Sequence, residues 1–130
     1  MLIDTHIWVW WANNDKQLTS DHLSAITTAT ATGIEVSIIS CWEVAKLVEN
    51  NKIILTIPVI DWLNRALSLP GVRLLPLTPD IVVDSTQLPG TFHKDPADQI
   101  IVATSRITGL PLLTMDLKIL AYPHVPLAAI

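Results

Sequence analysis

The chain has 130 residues, half of them apolar and only 15% charged, with a net charge of −4 from 12 acids and 8 bases. That length suits one compact domain spanning 1–130, and the acidic balance excludes a protein that grips nucleic acid through bulk positive charge. The mean hydropathy of +0.45 is high, so some apolar surface is expected to lie under a second subunit or a partner.

No apolar run reaches the roughly 18 residues needed to span a bilayer, so no membrane association is expected. The opening MLIDTHIWVWWA is apolar, but it lacks a basic n-region and Asp4 interrupts it. It therefore reads as structure and not as a secretory leader. Cys41 is the single cysteine, so no intrachain disulfide can form. The expected compartment is cytoplasmic.

Leu2-Ile3 is a short apolar run ending in Asp4, followed by HIWVWWA and the polar stretch NNDKQLTSD. Ser20 or Asp21 is positioned to cap a helix through Ala31, ended by Gly33. Residues 34–39 are rich in β-branched side chains and read as a buried strand. Ser40 would cap the next helix, CWEVAKLVENNK, with Glu43 in its first turn and Cys41, Val44, Ala45 and Val48 at apolar helical spacing. Pro58 opens a helix to about Leu69. Pro70-Gly71 turns the chain into a strand over 72–77, and Thr78-Pro79 starts a helix to about Leu88. A loop from Pro89-Gly90 leads to Asp95-Pro96, an N-cap and first-turn proline for a helix ending at Gly109. Leu112 to Thr114 reads as a short strand, followed by Asp116 and a last short helix. Strands alternating with helices predict an α/β fold, a mainly parallel central sheet between two helical layers.

The positions of the acids carry the functional information. Asp4 follows the first strand and Glu43 sits near the start of the helix after the second. Asp95 and Asp98 open a late helix, and Asp116 follows the last strand. In an open parallel sheet, ligands bind along the edge formed by the carboxyl ends of the strands, so these acids should converge. Crowded carboxylates raise one another's pKa unless a cation neutralises them. An all-oxygen donor set suits Mg²⁺ or Mn²⁺ better than Zn²⁺. Two such ions roughly 4 Å apart serve phosphodiester hydrolysis.

At these residues the chain resembles the PIN-domain ribonucleases, and specifically the VapC-type toxins of bacterial toxin–antitoxin pairs. The segments that carry the resemblance are LIDTHIWVWW around Asp4, VSIISCWEVAKLVENNKIIL around Glu43, FHKDPADQIIVATS around Asp95 and Asp98, and LLTMDLKI around Asp116. The resemblance implies a PIN-like fold and Mg²⁺- or Mn²⁺-dependent cleavage of single-stranded RNA. It also implies a homodimer and a small antitoxin that blocks the site. It assigns Asp4, Glu43, Asp98 and Asp116 as the catalytic, metal-holding acids, with Asp95 the extra aspartate of a D-P-x-D element and Thr114 the hydroxyl of a T-x-D element.

Each residue also has a plainer reading. Asp95 caps its helix whatever else it does, and Glu43 is within reach of Lys46 at i+3. Thr5 and Thr114 carry hydroxyls that would orient carboxylates. Lys46, Lys94 and Arg106 are the bases placed to meet phosphate or carboxylates. The five tryptophans are expected in the core or at interfaces more than on bases, Asp84 on the surface or facing a partner, and His6 and His93 outside the metal-ligand set. The rival function is a PIN-fold module that holds RNA or a protein without cutting. A haloacid-dehalogenase-type phosphatase is disfavoured, because His6 stands where that family needs its second aspartate.

Overall fold

The computed structural model describes residues 1–130. In chain order the elements are β1 (Leu2–Ile3), α1 (Thr5–Ala12), α2 (Ser20–Ala29), β2 (Ile34–Ser37), α3 (Ile38–Glu49), α4 (Val59–Leu67), β3 (Val72–Leu75), α5 (Pro79–Ser85), α6 (Pro96–Thr108), β4 (Leu112–Leu113) and α7 (Leu117–Leu120). The strands form one sheet in the order β3-β2-β1-β4, and every pairing is parallel.

The strand alternation explains the three layers. Ile3, Ile34, Val36 and Leu113 turn to one face, where Ile7, Trp8, Ile26, Val44 and Trp62 of α1 to α4 cover them. Their chain neighbours Leu2 and Leu112 turn to the other face and pack against Ile101 and Val102 of α6, Ile119 of α7, Tyr122 and Val125. Successive side chains point to opposite faces, so each of the two-residue strands feeds both cores.

Helix ends follow local chemistry, with some shifts from the sequence reading. α2 is capped by Thr19, whose side chain accepts the His22 N–H, and not by Ser20 or Asp21. β2 stops at Ser37, which accepts the Ile39 N–H and starts α3 three residues earlier than a Ser40 cap would. Glu43 is therefore in the second turn of α3. The β-branched Ile38 and Ile39 are helical despite their strand preference, because the Ser37 cap and the packing of Cys41 and Val44 override it. α5 ends at Ser85, short of Leu88. α6 has Asp95 as its cap, Pro96 in its first turn and Gly109 in the left-handed conformation after its end.

Most of the tryptophans are structural. Trp8 is fully buried, donates its indole N–H to the Ala66 carbonyl at 3.2 Å and packs edge-on against Trp62. Trp62 in turn donates to Asn13 at 2.9 Å. Trp42 is the exception, with over half its surface exposed. Arg106 holds Asp84 at 2.9 Å and the His124 carbonyl at 2.8 Å. Asp84 is thus an internal partner, which corrects its reading as a surface or partner-facing residue. No helix is long and apolar enough to cross a membrane.

Candidate active site

The carboxyl ends of β1, β2 and β4 lie side by side, and each hands its chain directly to a polar residue. β1 ends in Asp4, β2 in Ser37 and the α3 turn that carries Ser40 and Glu43, and β4 in Thr114 and Asp116. The start of α6 adds Asp95 and Asp98.

Asp4 is the buried centre. Its Oδ1 accepts the Thr5 N–H at 2.8 Å, and its Oδ2 accepts the Thr114 hydroxyl at 2.6 Å. Thr114 Oγ1 also accepts the Asp116 N–H at 3.0 Å, so one hydroxyl ties the ends of β1 and β4 together. Burial raises the Asp4 pKa, and the bonds from Thr114 and the Thr5 amide oppose that shift.

Thr5 links Asp4 to Glu43. Its Oγ1 lies 2.5 Å from Glu43 Oε1 and 2.8 Å from Ser40 Oγ. An ionised carboxylate is an acceptor only, so it takes the Thr5 proton and Ser40 donates to Thr5 in turn. Burial pushes the Glu43 carboxyl up to about 7 against the Thr5 bond, and the charges of Asp4, Asp95 and Asp116 push the same way. Lys46 does not reach Glu43; it pairs with Glu49 at 2.8 Å and stays exposed.

Asp98 is held differently. Burial, followed by the charges of Asp95, Asp4, Asp116 and Glu43, pushes its carboxyl up to about 7. His93 Nε2 lies 2.9 Å from Asp98 Oδ2. That nitrogen is enclosed, yet it is off the direction a ring N–H needs, so the contact is close without being a formed hydrogen bond. Asp95 and Asp116 are helix caps: Asp95 accepts the Ala97 and Asp98 N–H groups, and Asp116 those of Lys118 and Ile119.

A cleft of about 460 Å³ opens over Asp95, Asp98 and Asp116, with His93, Leu117 and Lys118 completing its wall. The five acids thus share one end of the sheet, as their sequence positions predicted. Thr5 and Thr114 act on carboxylates, whereas Lys46 stays outside the cluster. Arg106 is eight residues beyond Asp98 on α6, about 12 Å along the helix, and is committed to Asp84. The sequence reading took Ser40 only as a helix cap and did not single out Lys118. Ser40 was detectable three positions before Glu43 on one helix face, and Lys118 two positions after the Asp116 cap.

The donor set is all carboxylate and hydroxyl oxygen, which suits a hard divalent cation. The raised Glu43 and Asp98 carboxyls mark uncompensated negative charge that such a cation would neutralise. No three of these side chains converge tightly enough to cage an ion by themselves. Glu43 is turned toward Thr5 and Asp98 toward His93.

A PIN-domain family model matches residues 1–125, and the chain belongs to the PIN-domain family. Within that family it is similar to Ribonuclease VapC22 of Mycobacterium tuberculosis, at 34% identity over 124 residues, which covers 95% of this chain and 92% of the relative. Its fold is similar to that in the crystal structure of VapBC2 from Rickettsia felis bound to a DNA fragment from their promoter. The TM-score is 0.70 at 16% identity, over 98% of this chain and 96% of that one. It is also similar to a chain of a toxin–antitoxin complex from Klebsiella pneumoniae, with a TM-score of 0.61 at 20% identity over 95% and 93% of the two chains.

Proposed function

We propose that this protein is a divalent-metal-dependent endoribonuclease, the toxin of a VapBC-type pair, with Asp4, Glu43, Asp98 and Asp116 as its metal-holding acids. The observation that carries the reading is the carboxylate cluster itself. Asp4 and Glu43 are tied through Thr5, Asp4 and Asp116 through Thr114, and Asp98 faces the same charges from α6. A cluster that burial penalises this heavily is an unfavourable way to build a core and a suitable way to hold a cation. The 34% identity to a named ribonuclease across nearly the whole chain supports the reaction class.

Mg²⁺ or Mn²⁺, when bound, supplies positive charge and Lewis acidity for phosphodiester hydrolysis. The chain's own residues do the rest. Thr114 and the Thr5 amide fix Asp4, and Thr5 backed by Ser40 fixes Glu43. Asp95 keeps its capping role and adds negative charge at the cleft mouth. Lys118, exposed at the rim, meets substrate phosphate, a contact the acidic surface otherwise disfavours. Exposed apolar side chains such as Ile54, Ile60 and Leu117 are surface for an antitoxin and for a second copy of the chain in a homodimer. Cytoplasmic RNA is the substrate.

The test is direct. Purified protein with Mn²⁺ should cut single-stranded RNA, chelator should stop it, and Asp4→Asn should abolish cleavage. Intact RNA with Mn²⁺ present, or undiminished cleavage by Asp4→Asn, refutes the reading.

A further inference from the structure

Asp98 stands apart from the other acids in how it is held. Asp4 accepts two hydrogen bonds, Glu43 one, and Asp95 and Asp116 two backbone amides each. The Asp98 carboxylate accepts none, and His93 Nε2 at 2.9 Å is its one close polar neighbour.

The His93 ring is itself held in place. It packs on Phe92 with centroids 4.6 Å apart, Phe92 packs on Tyr122 at 4.8 Å, and the Tyr122 hydroxyl donates to the Pro89 carbonyl. The His93 carbonyl accepts the side-chain N–H of Gln99, the residue after Asp98, at 3.1 Å. Loop 89–95 is thereby tied both to the segment after α7 and to the first turn of α6. Imidazole and carboxylate face each other from two parts of one braced corner. No group in the structure donates a hydrogen bond to that carboxylate, and the contact with His93 is its one close polar restraint.

We infer that His93 is a positioning residue: its enclosed ring, in contact with the Asp98 carboxylate at 2.9 Å, limits the rotamers open to that acid and offers it an N–H donor when the carboxylate turns to a divalent cation. The inference rests on the proposed reading of Asp98 as a metal-holding acid. Partners behind a metal-holding group act by removing orientational freedom, and their loss costs on the order of 10- to 100-fold in metal affinity.

The experiment titrates Mn²⁺ alone into the full chain by calorimetry, without RNA, for wild type, Asp98→Asn, His93→Ala, His93→Leu and His93→Gln. Glutamine can place an amide N–H near the position of Nε2, whereas leucine fills similar space without a donor. His93→Ala and His93→Leu should weaken Mn²⁺ binding about tenfold or more, and His93→Gln should recover most of the loss. Comparing Leu with Gln keeps the test valid if the smaller alanine loosens the loop, and melting temperatures check that both are folded.

Wild-type affinity in His93→Leu would overturn the inference, as would tighter binding or a Gln variant no better than Leu. The last result would fit an imidazole that ligates the ion itself. If wild type fails to bind Mn²⁺, or Asp98→Asn binds it unchanged, the underlying reading of Asp98 falls and the inference falls with it. If Asp98→Asn loses the ion while every His93 variant keeps it, only the inference fails.

Discussion

Replacing Thr114 by valine removes one oxygen from the centre of the site and keeps the shape. The hydroxyl donates to Asp4 at 2.6 Å and accepts from the Asp116 amide at 3.0 Å, and both Thr114 and Asp4 are buried. A hydrogen bond to a charged group contributes about 1.5–3 kcal/mol, and a stranded amide adds up to about 1 kcal/mol here because Asp116 is only half-buried. The expected loss is therefore about 1.5–4 kcal/mol. With unfolding entropy of about 2.1 cal/mol/K per residue, the whole domain has ~0.27 kcal/mol/K, so the midpoint should fall by ~6–15 °C. The loss should also depend on pH. Burial already raises the Asp4 pKa and the Thr114 bond opposes it, so removing the bond raises it further. The damage should grow as pH rises and Asp4 ionises, and shrink in acid, where a neutral carboxyl does not need the donor. Urea unfolding without divalent ions at about pH 5.5 and about pH 8 measures this. Thr114→Ser, which keeps the hydroxyl, should lose no more than about 1 kcal/mol for a buried methyl. A valine variant within about 0.5 kcal/mol of wild type at the higher pH, below even a weak hydrogen bond, refutes the argument. So does a serine variant as damaged as valine.

Other consequences are equally open to measurement. Glu43 and Asp98 have folded pKa values of about 7, above their unfolded values, so the fold binds more protons than the unfolded chain between about pH 4 and pH 7. Stability without metal should therefore fall as pH rises through that window, and added Mg²⁺ should restore it at about pH 8 but not at about pH 5. Melting curves with and without the ion decide it. Arg106→Ala strips Asp84 and the His124 carbonyl of their donor and should cost about 2 kcal/mol while RNA cleavage by the folded protein is unchanged. Gly71 and Gly109 both have positive φ, but an added Cβ would lie 2.7 Å from the Thr30 carbonyl at Gly71 and meet nothing at Gly109. Gly109→Ala should cost about 1 kcal/mol and Gly71→Ala clearly more, a ranking readable from denaturation midpoints.

The sequence carried the layout of the site more clearly than the contacts inside it. Asp4, Glu43, Asp95, Asp98 and Asp116 could be placed at one sheet edge because each follows a strand or opens a helix, and parallel topology brings those points together. The Asp95-Pro96 start and Gly109 stop of α6 were legible because cap chemistry is local. The start of α3 was not, since Ser37 and Ser40 are both competent caps and the intervening isoleucines favour strand. Which serine caps depends on where β2 meets β1 and β3, a long-range matter. Pairings such as Arg106 with Asp84, Lys46 with Glu49 in place of Glu43, and His93 with Asp98 depend on three-dimensional approach, and spacing alone does not choose among the available acids.

The placement of β1 between β2 and β4 has a consequence in time. Asp4 is made before its Thr114 donor, which lies 110 positions later in the chain. At synthesis rates of roughly 5–20 residues per second, the two are separated by about 5–20 s. Through that interval a growing chain has its first carboxylate and none of the strand that orients it. A protein built this way cannot complete its carboxylate centre until β4 has been made and has paired with β1.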